Sequence, residues 1–117
     1  MNNARLLAIE PPESISKGVS IIALEGLRPG SGAPVAVLEF NVDPHASSEM
    51  GANPVTEVIR ILSGRGVVLS DNRELSVQAG DWVLIEPNVQ HQVRNASAEV
   101  LSALSVSWAG RPGQPLT

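Results

Sequence analysis

The 117-residue chain contains neither cysteine nor tyrosine. That excludes a disulfide framework, a thiolate zinc site, an iron–sulfur cluster and a cysteine nucleophile. It also leaves no phenol to act as acid or base. Lysine occurs once, as Lys17 in a Pro/Ser/Gly-flanked stretch, which argues against a buried Schiff-base lysine. Positive charge is scarce altogether: eight Lys and Arg stand against twelve Asp and Glu, for a net charge of −4. The seven arginines are scattered, whereas a nucleic-acid footprint needs a basic stripe. No apolar run approaches the ~18 residues of a membrane span. Met1 to Glu10 lacks the long apolar stretch and small-residue cleavage site of a secretory signal, so cytoplasm is the expected compartment. For acid–base or metal work there remain His45, His91 and a handful of carboxylates.

What the chain does have is aliphatic residues. Val, Ile and Leu number 33 and 43% of the sequence is hydrophobic, which excludes intrinsic disorder. Surface scaling for a chain of this mass gives about 6,100 Å² folded against about 17,800 Å² unfolded, so roughly two-thirds can be buried in a single core. One domain over 1–117 is expected, with its core at about 18–108, an N-terminal arm at 1–17 and a loose tail at 109–117.

Ten glycines and nine prolines punctuate short β-rich runs. Strands are expected at Ser20–Leu24, Val35–Val42, Glu57–Leu62, Gly66–Ser70, Arg73–Val77, Trp82–Ile85, Gln90–Arg94 and Val100–Trp108. Asp71-Asn72 tolerates the left-handed conformation of a tight hairpin, and Gly80-Asp81 and Pro87-Asn88 turn the chain again. No segment carries helical periodicity. Eight or nine strands at spacings near ten residues make the fold class all-β, a sandwich or barrel.

Two stretches narrow this further. The first runs from Pro44 and His45 through Gly51, Asn53 and Glu57 to Gly64; the second runs from Gly80 through Glu86, Pro87, Asn88 and His91 to Asn95. Together they resemble the two motifs of the cupin family, small jelly-roll β-barrels. The first family motif is His-x-His, three or four residues, Glu, six residues, Gly. The second is Gly, five residues, Pro-x-Gly, two residues, His, three residues, Asn. Gly80, His91 and Asn95 match in spacing, with Glu86 and Asn88 at the motif's proline and glycine; Glu57 and Gly64 match in the first. Asn88 tolerates the turn conformation that glycine would favour. The resemblance spans about Val35 to Trp108.

Family members typically hold a divalent transition metal with the two first-motif histidines, the glutamate and the second-motif histidine. In register with Glu57, those two histidine positions are Gly51 and Asn53. Gly51 offers no side chain and an amide oxygen is a poor substitute for imidazole, so two of four ligands remain, Glu57 and His91. The resemblance therefore implies a barrel whose usual metal site is broken.

His91 and Glu57 are the candidate catalytic pair, set against a reading in which both are architectural remnants. Alternation puts Glu57 on the face of Ile59 and Ile61, where a carboxylate is costly unless paired. Paired with His91, it would make an acid–base couple. Asn53, Glu39 and Trp82 are the candidate substrate contacts. Each has a plainer alternative: Asn53 shaping its loop, Glu39 facing solvent, Trp82 filling core or a subunit contact. Arg60 is out of phase with Glu57 and suits a pairing or subunit contact. His45 reads as a surface loop residue, or else as a replacement ligand beside His91 and Glu57 in an unusual metal set of oxygenase type.

Three functions compete. One is an isomerase, cyclase or lyase acting on a small, mostly apolar molecule through the Glu57/His91 pair without the usual metal. Another is a non-catalytic small-molecule-binding or structural barrel. The third is the metal-dependent enzyme just described. Family habit implies a homodimer in which N-terminal strands such as Ser20–Leu24 cross or extend a partner's sheet. Neither a nucleic-acid nor a membrane partner is expected.

Overall fold

The computed structural model describes residues 4–109. Within them the chain forms nine strands and no helix: β1 (Glu13–Ser16), β2 (Val19–Ala23), β3 (Ala36–Val42), β4 (Thr56–Ser63), β5 (Arg65–Ser70), β6 (Arg73–Gln78), β7 (Trp82–Ile85), β8 (His91–Arg94) and β9 (Leu101–Trp108). All pairings are antiparallel. They build a six-stranded sheet in the order β1-β2-β3-β9-β4-β7 and a three-stranded sheet in the order β6-β5-β8.

Alternation decides which side chains meet between the sheets. From the larger sheet come Val19, Val42, Ile59, Ile61, Val83, Ile85, Leu101 and Ala103; from the smaller come Val68, Val77 and Val93. All are buried, and this interior is the core. Β9 ties it together by lying between β3 and β4, so the last strand closes a sheet begun some eighty residues earlier.

Turn chemistry sets the strand limits. Asp71 takes a φ of 50° in the two-residue β5–β6 loop, and Asn88 a φ of 66° before β8. At Gly64 the φ is 82° and a Cβ would stand 2.5 Å from the Val100 carbonyl oxygen. Only glycine fits there, which explains the residue that ends β4.

The arm holds more structure than its sequence suggests. Β1 pairs with β2, and Ile9 bridges Leu24. Arg28 reaches back to ion-pair with Glu10 and Glu13. Β2 is consequently covered on both sides within its own chain, so it has no free edge with which to extend a partner's sheet; β1 and β7 are the edges. Of the expected tail, residues 110–117 lie outside those described.

Asn95, matched to the second motif, is fully buried and serves architecture. Its Nδ2 donates to the carbonyls of Val42, Asp43 and Glu99, while its Oδ1 accepts from the Ser97 amide and hydroxyl. One side chain thus fastens the β8–β9 connection to the end of β3.

Candidate functional site

At one end of the sandwich the inward faces turn polar. Row by row across the large sheet, Ala36, Ser107, Glu57 and Ile85 stand in register, followed by Leu38, Ser105, Ile59 and Val83. Ser105 is thus the diagonal cross-strand neighbour of Glu57, a placement within side-chain reach. Its buried hydroxyl donates to Glu57 Oε2.

His91 comes from the opposite sheet. Its backbone exchanges both hydrogen bonds with Gly51, at 2.8 and 3.0 Å, which pins the start of β8. Its ring Nδ1 lies 2.9 Å from the Val89 carbonyl oxygen. A carbonyl can only accept, so Nδ1 carries a hydrogen and Nε2 is the nitrogen turned toward the carboxylate. Nε2 stands 3.6 Å from Glu57 Oε1, with the two side chains 14% and 20% exposed. That separation is an ion-pair distance, too long for a direct hydrogen bond. With Nδ1 committed to Val89 and Oε2 to Ser105, the facing atoms attract only when one proton is held by either of them. Such a couple can take one proton from a bound molecule and return one to it.

Glu57 forms part of the wall of a cleft of about 910 Å³. The rest of the lining includes the Pro29–Ala36 loop, Asn53, Pro54, Ser105, Ser107 and Trp108. Among the described residues Glu57 is its single charged lining residue, and no Lys or Arg contributes. Asn53 lies at this mouth with its carbonyl accepting from the Asn88 amide at 2.7 Å, so the two motifs meet through the backbone.

Two expected substrate contacts are elsewhere. Glu39 and Trp82 belong to the opposite face of the large sheet, because each is in phase with outward positions of its strand. Trp82 is 58% exposed, with the Arg60 guanidinium 4.9 Å above its ring. Strand periodicity separates two faces but does not label them, and Trp82 starts a strand whose covered residues are Val83 and Ile85. Arg60 stands where its phase put it.

Ser105 was not anticipated. In sequence it is one of three serines in β9, and its role follows only from the β9–β4 register.

The side chains present do not fit a transition metal. Among the described residues no group of three or more His, Cys, Asp or Glu could hold one. His45 is exposed in a turn at φ 64°, and Gly51 sits directly opposite His91 with nothing to contribute. One imidazole and a carboxylate already committed to a serine fall short of the usual three protein ligands.

These two motif segments on an antiparallel sandwich define a cupin jelly-roll barrel. A cupin-domain family model matches residues 38–107, and the chain belongs to the cupin family. An uncharacterized protein of Methanocaldococcus jannaschii is 35% identical over 52 residues, 44% of this chain. The chain spans less than half of that relative, 42% of its length. Among solved structures, a predicted oxalate decarboxylase of Thermotoga maritima superposes with a TM-score of 0.73 at 21% identity, covering 85% of this chain and 92% of the other. The polyketide cyclase RemF of Streptomyces resistomycificus gives 0.68 at 21% identity, covering 82% and 68%. Likeness at these identities speaks to the fold alone.

Proposed function

We propose that this cupin catalyses proton transfer at a carbon beside a carbonyl in a small neutral molecule, using Glu57 and His91 without a resident metal. The observation that carries this reading is the Glu57–His91 pair, 3.6 Å apart and aligned by Ser105 and Val89, whose Glu57 lies in the wall of a cleft with no other charged side chain among the described residues. In the productive state Glu57 is the carboxylate and His91 the imidazolium. Glu57 takes the C–H proton while His91 Nε2–H protonates the carbonyl oxygen, giving an enol. Return of a proton to a different carbon isomerises the molecule; attack of the enol on a second carbonyl cyclises it; loss of a β-hydroxyl as water dehydrates it. The similarity to a polyketide cyclase is compatible with the second outcome.

Among the described residues no Lys or Arg lines the cleft, which bears on the substrate class. A phosphate or carboxylate would meet Glu57 with only His91 to offset it, and desolvating an unpaired anion is costly. Serine hydroxyls, an amide and aliphatic walls suit a neutral, oxygenated and largely apolar compound.

The test is a panel of neutral enolisable ketones and diketones, each beside its phosphorylated or carboxylated counterpart. Binding is read by thermal shift and exchange of carbon-bound hydrogen in D₂O by NMR. Neutral members should bind and exchange; Glu57→Gln or His91→Ala should each slow exchange roughly 100-fold or more, and the double variant little further. Binding without exchange would leave a ligand-binding barrel and refute catalysis, and preference for the anionic counterparts would refute the substrate class.

A further inference from the structure

The two serines that line the cleft from β9 are not equivalent. Ser105 and Ser107 both stand on the face of Glu57. Ser107 is the direct cross-strand partner of Glu57, and Ser105 lies one row deeper, opposite Ile59. Yet the carboxylate takes its hydrogen bond from Ser105, the buried one of the two. Glu57 therefore leans inward, away from its nearer partner, with its other oxygen toward His91 Nε2. Among the described residues the half-buried Ser107 hydroxyl makes no hydrogen bond. On its far side its β3 partner is Ala36, which presents only a methyl group to the same cleft. One uncommitted donor thus stands beside the carboxylate, with open space above it.

The place of this donor bears on which C–H bond can be broken. A carboxylate is a weak base. Removing a proton beside a single carbonyl leaves the charge on one oxygen. Between two carbonyls the charge spreads over both, and the C–H is far more acidic. Such a carbon needs a hydrogen-bond donor for each of its flanking oxygens. Glu57 stands between two: His91 Nε2–H from the smaller sheet, and Ser107 O–H on the adjacent strand about 5 Å away. That spacing fits a carbon over the carboxylate, a carbonyl and its hydrogen bond.

We infer, resting on the proton transfer proposed for Glu57 and His91, that Ser107 holds the second oxygen of a β-dicarbonyl substrate and selects that class over simple ketones. The C–H bond between the carbonyls breaks and its proton passes to Glu57. Its electron pair forms the C=C bond while the first carbonyl oxygen takes the His91 Nε2 proton. The second carbonyl stays intact and accepts from Ser107 throughout. Glu57 is then protonated and His91 neutral, and return of both protons restores the pair. The arm beyond the second carbonyl lies over Ala36.

The test compares dipropionylmethane methylated at its central carbon with the monoketone of the same carbon skeleton. Exchange of the C–H at that carbon in D₂O is followed by NMR, each rate taken relative to buffer alone. Wild type should favour the diketone. Ser107→Ala should lower kcat/KM for the diketone at least about 10-fold and leave the monoketone within about 2-fold. Ser107→Thr and Ser107→Val share a shape and differ in the donor, so Thr should keep the wild-type preference and Val should lose it. Circular dichroism and thermal unfolding verify that each variant is folded, and the Thr/Val pair replaces Ser107→Ala should that one not fold. A wild type without preference, equal losses on both ketones, or a Val variant that keeps the preference would overturn the assignment of Ser107 while leaving the Glu57/His91 pair its chemistry. Exchange of neither ketone by wild type would overturn both.

Discussion

Removing the Ser105 hydroxyl is the sharpest probe of whether Glu57 is held or merely present. Ser105→Ala deletes one oxygen at a site 4% exposed, so packing hardly changes. What is lost is the hydrogen bond to Glu57 Oε2. A hydrogen bond to a charged group contributes about 1.5–3 kcal/mol. Glu57 keeps 20% of its surface, so water replaces part of that bond and the expected loss is about 1–2 kcal/mol. For a domain of this length that corresponds to a fall in Tm of roughly 4–8 °C. The measurement is a double-mutant cycle by denaturant unfolding, with Ser105→Ala made in the wild-type and Glu57→Ala backgrounds. In the second background the serine has no carboxylate to serve, so its removal should cost about 1 kcal/mol less or better. Additive losses, with coupling under about 0.3 kcal/mol, would refute the claim that Ser105 orients Glu57.

Two further outcomes are expected. Gly51 is the directly paired neighbour of His91, so a side chain there shares its face, and an added Cβ meets nothing within 4 Å. Gly51→His/Asn53→His should therefore retain about one nickel or zinc per chain after loading and dialysis, where wild type retains none; elemental analysis decides, and no retention would mean that positions 51 and 53 do not converge on Glu57. Asn95→Ala removes the side-chain donor to the buried Val42 carbonyl and releases the ties to Glu99 and Ser97, and should cost about 2–4 kcal/mol in denaturant unfolding, and a loss under about 1 kcal/mol would deny Asn95 its fastening role.

Much of this protein is legible in the order of its residues. Short runs of alternating aliphatics cut by Gly, Pro, Asn and Asp dictate an all-β chain, and turn positions such as Asn88 declare themselves because few residues tolerate a positive φ. The spacing of Glu57, Gly64, Gly80, His91 and Asn95 marks the family. These are local signals, each carried by residues close together in the chain. Β1 escaped notice because Glu13–Ser16 is a four-residue edge, exposed at three of its positions, with no inward alternation to betray it.

Which face of a strand is covered, and who stands beside whom across strands distant in sequence, only the tertiary structure decides. Alternation in β3 and β7 was plain, yet it could not say that Glu39 and Trp82 turn away from the cleft, because period two is symmetric between the faces. The serines of β9 looked like ordinary polar positions until β9 settled between β3 and β4 and brought Ser105 to a glutamate 48 residues away. Those pairings are non-local: their register is set by the burial of the whole sheet at once, and no short stretch of sequence contains it.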